Sequence, residues 1–461
     1  MRIGEGKNGV CRRKTARIVW LCLALLAAGI FCRQMVQSPS GAPDQKIQST
    51  ANEAVCADDR KEEKSTTSQL YAHAAVLMDA DNGRILLGKN ENEPLPMAST
   101  TKIMTCILAL ETGDMEDVAA VSSYGANQPK VHMGAKKGEA YRIGDLLHAL
   151  MLESYNDAAV IIAEYYGSRM AGLSADIAAH TAEESKKAVL AFTAEMTKKA
   201  RALGCKNTFF VTPNGLDGTL ELSENGENSS YEHHTTAAEL AAIMSYCVEK
   251  SPKKDAFLEI TQAPSYTFCD RKRTEDGWQE GSRTVACTNH NAFLQMMDGA
   301  LSGKTGFTGK AGYCYVGALE RGGKKFAIAL LACGWPNHKS WKWHDARLLY
   351  EYGLEHYEIR EIQEEKTLPD AAVKNGQEAF VRLEYPEERI PLLLSQQDEV
   401  TVEWDVPKEL EAPVIKGSQV GKVSYFVNGK PYREFPITTA ENVPEITYFY
   451  CITRIIQKIL L

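Results

Sequence analysis

The sequence predicts an α+β protein: an antiparallel sheet flanked by helices, followed by a small all-β domain. Three observations predict it. Apolar runs that read as strands lie at both ends of the first large segment, over 74–87 and 313–332. Long apolar helical stretches fill the interval between them. Near residue 361 the composition shifts to short strand-like runs. The 461 residues exceed one typical domain of about 100–200 residues, so two are expected.

Residues 1–35 read as a signal peptide or N-terminal anchor, because Arg12, Arg13, Lys14 and Arg17 precede an apolar run over 18–32. Residues 36–70 are polar and patternless and read as a flexible linker. The first folded domain then covers 71–360. Residues 74–79 (AAVLMD) form a strand, residues 80–83 a tight turn and residues 84–87 the returning arm of a hairpin. Helices follow over 99–111, 141–152, 157–166, 182–203 and 235–248, the last with Thr235 or Thr236 as N-cap. Residues 304–306 open a strand region. Strands over 313–318 and 325–332 come next, and a helix over 342–352 closes the domain.

The β domain covers 361–445, with a hairpin turn at Asn428-Gly429. Residues 446–461 (ITYFYCITRIIQKILL) place Phe449, Ile452, Ile455, Ile456, Ile459 and Leu460 on one helical face, opposite Arg454 and Lys458. That pattern predicts an amphipathic helix that associates with a membrane surface.

Charge and cysteine usage narrow the partners. The net charge is −8, and residues 1–17 hold six basic and one acidic side chain, which leaves −13 for the remainder. An acidic exported body argues against nucleic acid as a partner. The twelve cysteines form no CxxC pair and no Cys/His cluster, so neither a metal nor a cofactor is expected. Cys106, Cys247, Cys314 and Cys333 lie in apolar surroundings and read as small core residues. Cys269 with Cys287 is one candidate disulfide.

Three short motifs carry the chemistry. Ser99-Thr100-Thr101-Lys102 sets a serine and a lysine three residues apart, on one face of a helical turn. A serine hydroxyl is a weak nucleophile until a base stands next to it. The Lys102 amine can be that base if burial and neighbouring cations keep it neutral. Ser154-Tyr155-Asn156 puts a proton-relaying hydroxyl and an amide two residues apart, where both can face one cleft. Asn156 would position the substrate amide or Lys102. Lys304-Thr305-Gly306 supplies a positive charge, a hydroxyl and a residue without a side chain. That set suits a peptide carboxylate lying beside an edge strand. The backbone N–H groups of Ser99 and Phe307 would form the oxyanion site. His233, His234, His290 and His344 have no partnered nucleophile and read as solvated or structural.

With these motifs in this order, the chain resembles the low-molecular-mass penicillin-binding proteins, the serine-type D-alanyl-D-alanine carboxypeptidases. The likeness extends to VLMDADNGRILLGKNENEPLPMASTTKIMT, LLHALMLESYNDAAVIIAE, FFVTPNGLDG, HTTAAELAAIM and DGALSGKTGFTGKAGYC, and covers about 71–355. It implies a penicillin-binding-protein/β-lactamase-like transpeptidase fold. Ser99 would be the acylated nucleophile, Lys102 its base, Ser154 and Asn156 the second element, and Lys304, Thr305 and Gly306 the opposite wall. The implied substrates are peptidoglycan stem peptides ending in D-Ala-D-Ala, with β-lactams as inhibitors, at the outer face of the cytoplasmic membrane or in the cell wall.

Three departures accompany the resemblance. Tyr155 stands where relatives have a small residue. Lys342 stands by position where relatives often have a carboxylate-binding arginine. Residues 218–232 form a long polar loop where relatives have a short connection. No ExxLN-like stretch follows the second motif, which argues against a class A β-lactamase. A DD-endopeptidase or weak transpeptidase using the same acyl-enzyme, and a catalytically silent cell-wall binding protein, are the alternatives.

Overall fold

The computed structural model describes residues 59–460, apart from 225–226, 363–366 and 386–388. The targeting segment read over 1–35 lies outside the described residues. Of the linker read over 36–70, the part after residue 58 is helical: α1 (Asp59–Gln69) leads into the buried Leu70 and Ala72. The chain divides into two compact units. One holds Ala54–Arg360 with Leu392–Gln397, and the other holds Glu361–Pro391 with Asp398–Leu461.

In the first unit, β1 (Ala74–Asp79) and β2 (Ile85–Lys89) form the expected hairpin. Every residue of β1 is buried, which explains its continuous apolar run. A 3₁₀ turn (Ala98–Thr101) runs into α2 (Lys102–Thr112), whose Ile103, Met104, Ile107 and Leu108 are buried in the main core. Short strands β3 (Val118–Ala120) and β4 (Ala140–Arg142) precede α3 (Ile143–His148). A single π-turn (Ala149–Glu153) then leads to α4 (Asn156–Met170).

Helix α5 (Ala182–Ala202) opens on a capping box between Thr181 and Glu184. Next come β5 (Thr219–Glu224), β6 (Glu227–Glu232) and α6 (Ala237–Ser245), which Thr236 caps through the Glu239 N–H. Helix α7 (Lys254–Gln262) and strands β7 (Ser265–Thr274) and β8 (Gly277–Thr288) follow. Strands β9 (Ala300–Thr308), β10 (Gly312–Arg321) and β11 (Lys324–Leu331) and helix α8 (Trp341–His356) complete the unit.

The central sheet has the order β2-β1-β11-β10-β9, antiparallel throughout. This leaves β9, which carries Lys304-Thr305-Gly306, at its edge. A second sheet has the order β3-β4-β7-β8. The polar loop expected over 218–232 is instead the hairpin β5–β6, in register from Thr219↔Glu232 to Glu224↔Glu227. The overlooked signal is Asn225-Gly226, a dipeptide favoured in two-residue hairpin turns. The candidate disulfide is also corrected. Cys269 pairs across the ladder with Thr284 and Cys287 with Tyr266, and both thiols are free.

The second unit is built on β strands around Leu368, Ala371, Val373, Val381, Leu383, Val414, Ile437 and Val443. Its hairpin Gln419–Val427/Lys430–Thr439 turns at Asn428 and Gly429, both left-handed (φ 52° and 71°), as the sequence predicts. The C-terminal helix forms over Tyr448–Leu460, with Phe449, Ile456, Ile459 and Leu460 exposed. The membrane-surface partner expected through this helix is corrected. None of the described helices is long and apolar enough to cross a membrane. Thirteen residues reach only about 20 Å against a hydrocarbon core of about 30 Å, and Arg454 and Lys458 interrupt the run.

Helices α4 and α5 cross where Gly167 meets Ala188. A β-carbon at Gly167 would fall 1.9 Å from the Ala188 carbonyl oxygen, a backbone atom that cannot swing aside. Gly167→Ala should therefore destabilise the first unit by about 2 kcal/mol or more in urea unfolding. A change under about 0.5 kcal/mol would show that the helices separate without cost.

Candidate active site

The 3₁₀ turn explains the first motif. With three residues per turn, side chains at i and i+3 eclipse, so Lys102 stands directly against Ser99. Lys102 Nζ lies 2.8 Å from Ser99 Oγ, 3.0 Å from Asn156 Oδ1 and 2.5 Å from the Asn214 carbonyl oxygen. The lysine is fully buried. Burial, and then the nearby positive charge of Lys304, hold its pKa well below the usual lysine value, against a smaller opposing pull from Asp157. A neutral amine has two N–H donors and one lone pair. In the neutral form the two carbonyl-type oxygens would take the donors, and the lone pair would face the Ser99 hydroxyl.

The second motif sits at the exit of the π-turn. Ser154 takes a left-handed conformation (φ 64°, ψ 31°), and Asn156 then starts α4. The Asn156 amide donates to the Pro129 carbonyl at 3.1 Å while its oxygen accepts from Lys102. Tyr155 is half-buried and packs against the main apolar cluster. Asp157 is buried, and its carboxylate accepts from the backbone N–H groups of Met133, Gly134 and Ala135, which pins the 131–135 segment beside the site.

The third motif closes the site from the sheet. Lys304 is buried on β9 and donates to Ser154 Oγ and to the Thr305 carbonyl, each at 2.9 Å. Burial lowers its pKa to about 7. At Gly306 a β-carbon would fall 2.8 Å from the Ser99 backbone nitrogen, so only glycine lets β9 pass this close. The next residue, Phe307, is 42 % exposed and its ring packs on Tyr313.

Lys342 lies elsewhere in its bonding. It is buried, its Nζ stands 4.9 Å from the Tyr313 ring centre and 4.6 Å from that of Trp343, and it donates to the Lys339 carbonyl. Burial lowers its pKa to about 8. The structure thus joins Ser99, Lys102 and Asn156 in one hydrogen-bonded group and Lys304 with Ser154 in a second. Lys342 bonds to neither. Among the described residues, no group of three or more His, Cys, Asp or Glu side chains is placed to hold a metal ion.

Sequence reasoning missed Asn214, Gly215 and the work of His233. Gly215 (φ +84°) presses on the nucleophile turn so closely that a β-carbon would fall 1.9 Å from the Ala98 carbonyl oxygen. His233 is buried, and burial pushes its pKa down to about 3. Its Nδ1 accepts from the Val211 and Thr212 N–H groups, so the proton sits on Nε2, 2.8 Å from Thr101 Oγ1. Thr101 in turn donates to the Ala98 carbonyl at 2.8 Å. One neutral imidazole therefore ties the nucleophile turn to the segment that supplies the Asn214 carbonyl.

A serine with a buried lysine as its neighbour, facing a second lysine on an edge strand, defines the class of serine acyl-transfer enzymes that use an amine base. Comparison with known proteins makes this specific. Residues 60–332 match the D-alanyl-D-alanine carboxypeptidase family, and residues 357–445 match the penicillin-binding protein 5 C-terminal domain. The chain belongs to the serine-type D-alanyl-D-alanine carboxypeptidases, the low-molecular-mass penicillin-binding proteins.

Among curated relatives, the D-alanyl-D-alanine carboxypeptidase DacF of Bacillus subtilis is 26% identical over 408 residues, 86% of this chain and 92% of that protein. DacB2 of Mycobacterium tuberculosis is 29% identical over 287 residues, 61% of this chain and 82% of that protein. In fold, the chain matches penicillin-binding protein 5 of Haemophilus influenzae with a TM-score of 0.60 at 22% identity, covering 82% of this chain and 98% of that one.

If Lys102 is the base that takes the Ser99 proton, acylation needs it neutral and the rate falls as pH drops through its pKa. Lys304→Gln removes the charge that helps hold Lys102 down. The acid limb of the penicillin acylation rate should therefore move about one unit to higher pH. A limb that stays in place would show that Lys304 does not act on Lys102. In the wild type, the Lys304 charge fades as pH rises through about 7, so KM for a peptide carboxylate should rise on that side.

Proposed function

We propose that Ser99 is the residue acylated when this enzyme removes the terminal D-alanine from peptidoglycan stem peptides. The observation that carries the reading is the 2.8 Å contact between Ser99 Oγ and a buried, depressed-pKa lysine. The enzyme is a serine-type D-Ala-D-Ala carboxypeptidase of the penicillin-binding class, and an extracytoplasmic, cell-wall-associated location accords with its family. The domain layout we infer is a catalytic domain over 71–360 and a β domain over 361–445.

The free carboxylate of the substrate is held by Thr305 and the Lys304 charge. Its scissile carbonyl points between the N–H groups of Ser99 and Phe307, where a developing oxyanion is stabilised. Lys102 accepts the Ser99 proton as Oγ bonds to the carbonyl carbon. The proton passes through Ser154, which Lys304 orients, to the nitrogen of the departing D-alanine. The amide bond breaks and an ester to Ser99 remains. Water, deprotonated by the same amine, then attacks the ester carbonyl, and Lys102 returns that proton to Ser99 Oγ as the C–O bond breaks and the shortened peptide leaves. Asn156 keeps Lys102 aimed at Ser99. Lys342, whose amine stands 4.9 Å from the centre of the Tyr313 ring on which Phe307 packs, would add a second positive charge for the substrate carboxylate.

Intact mass after exposure to a fluorescent penicillin should show one covalent adduct on the wild type and none on Ser99→Ala. D-alanine should be released from diacyl-L-Lys-D-Ala-D-Ala by the wild type only. Asn156→Ala should lower the acylation rate by about 10²-fold. A folded wild-type protein that forms no adduct would overturn the reading and favour a silent binding protein.

A further inference from the structure

Beside the turn that joins β9 to β10 lies a cavity of about 620 Å³, within the ~300–1,000 Å³ range of small-molecule sites. The mechanism makes no use of it. Its wall is aromatic. Tyr71 stacks on Trp341 with ring centres 4.3 Å apart, and His338 stacks on Trp341 at 3.9 Å. Trp335 joins them, its indole N–H donating to the Gly309 carbonyl at 3.0 Å. The Tyr71 and Trp335 side chains are 47% and 44% exposed. Leu95 and Pro96, which lead into the Ser99 turn, and Lys310, in the turn after β9, also line it.

We propose that this cavity is a glycan subsite, which seats a hexosamine ring of the polymer that bears the stem peptide. The proposal rests on the carboxypeptidase reading, and two observations carry it. The first is direction. With the substrate carboxylate at Lys304-Thr305 and the scissile carbonyl at Phe307, the peptide runs antiparallel to β9, and its N-terminal end points toward Thr308 and Lys310. An extended chain advances about 3.3 Å per residue. Five stem residues therefore reach about 15 Å from the carboxylate, past the end of β9 at Thr308 and over the turn that carries Lys310. The sugar hangs from that N-terminal end, toward the turn whose Lys310 and Ala311 line the cavity.

The second observation is chemistry. Flat, pre-ordered rings suit the apolar faces of a sugar, and several polar side chains of the lining already have partners. Lys310 pairs with Glu232 at 2.9 Å, His73 with Glu93 at 2.8 Å, and Lys89 donates to the Leu70 carbonyl at 2.7 Å. The cavity offers the exposed rings of Tyr71 and Trp335 as stacking surface, with hydrogen-bonding groups beside them, to a sugar.

The test compares two substrates with the same stem pentapeptide, one free and one carrying its N-acetylglucosaminyl-N-acetylmuramyl disaccharide. The wild type should show a KM about fivefold lower for the disaccharide form, with kcat little changed. Tyr71→Ala and Trp335→Ala should each remove most of that preference. Both should leave penicillin acylation, which involves no sugar, within about twofold of the wild type. If Trp335→Ala slows acylation because the Gly309 turn moves, Tyr71→Ala decides. Equal kcat/KM on the two substrates, or a preference that survives Tyr71→Ala, overturns the subsite. If the wild type releases D-alanine from neither substrate, the carboxypeptidase reading fails instead. Quenching of tryptophan fluorescence by the disaccharide pentapeptide on Ser99→Ala protein then tests the cavity on its own, and no quenching overturns it.

Discussion

The structure depends on one constraint: a lysine amine is kept out of water, with its pKa well below the usual lysine value, and within a hydrogen bond of a serine. A buried ammonium is costly, so the protein resolves the conflict by favouring the neutral form. Lys102 has the Asn156 side chain and the Asn214 carbonyl as hydrogen-bond acceptors and Ser99 as its reactive neighbour. Lys304 adds repulsion from the opposite wall. Each partner comes from a different part of the chain: a 3₁₀ turn, the start of α4, an irregular segment and an edge strand. Much of the fold serves to bring these four pieces together.

The two glycines that flank the nucleophile turn show how tightly this is done. Gly306 on β9 approaches the Ser99 nitrogen, and Gly215 approaches the Ala98 carbonyl. A side chain at either position would push the turn away from its partners. Ala98 itself is held left-handed at φ 48°, a conformation that a non-glycine residue keeps only when its surroundings enforce it. His233 and Thr101 supply part of that enforcement by hydrogen-bonding the turn to the 211–215 segment. The histidine read as structural is structural, but its position links it to the chemistry.

The serine–lysine pair, Ser154-Tyr155-Asn156 and Lys304-Thr305-Gly306 were legible because each is a local pattern whose residue types state their chemistry. The main strands and most helices were legible from apolar periodicity. Asn214 was not, because it acts through its backbone carbonyl across 112 residues of sequence, and any residue type has a carbonyl. Helix α7 and the hairpin β7–β8 were unread although Asp276-Gly277 marks the turn. Strand β8 is largely exposed toward that turn, so alternation there is weak. Helix α1 was hidden by a composition suited to a linker. The amphipathic pattern at the C-terminus predicted the helix but not its partner, because exposed apolar residues define a face without saying what covers it.

The central claim is that Lys102 is a neutral amine in the resting enzyme. Lysine labelled with ¹³C at the ε position, followed by NMR from pH 5 to 11 in the wild-type protein and assigned with a Lys102→Arg variant, tests it directly. The account predicts that the Lys102 signal titrates well below 10.5, apart from the surface lysines. A Lys102 signal that titrates near 10.5 with the rest would contradict it, and another group would then have to take the Ser99 proton.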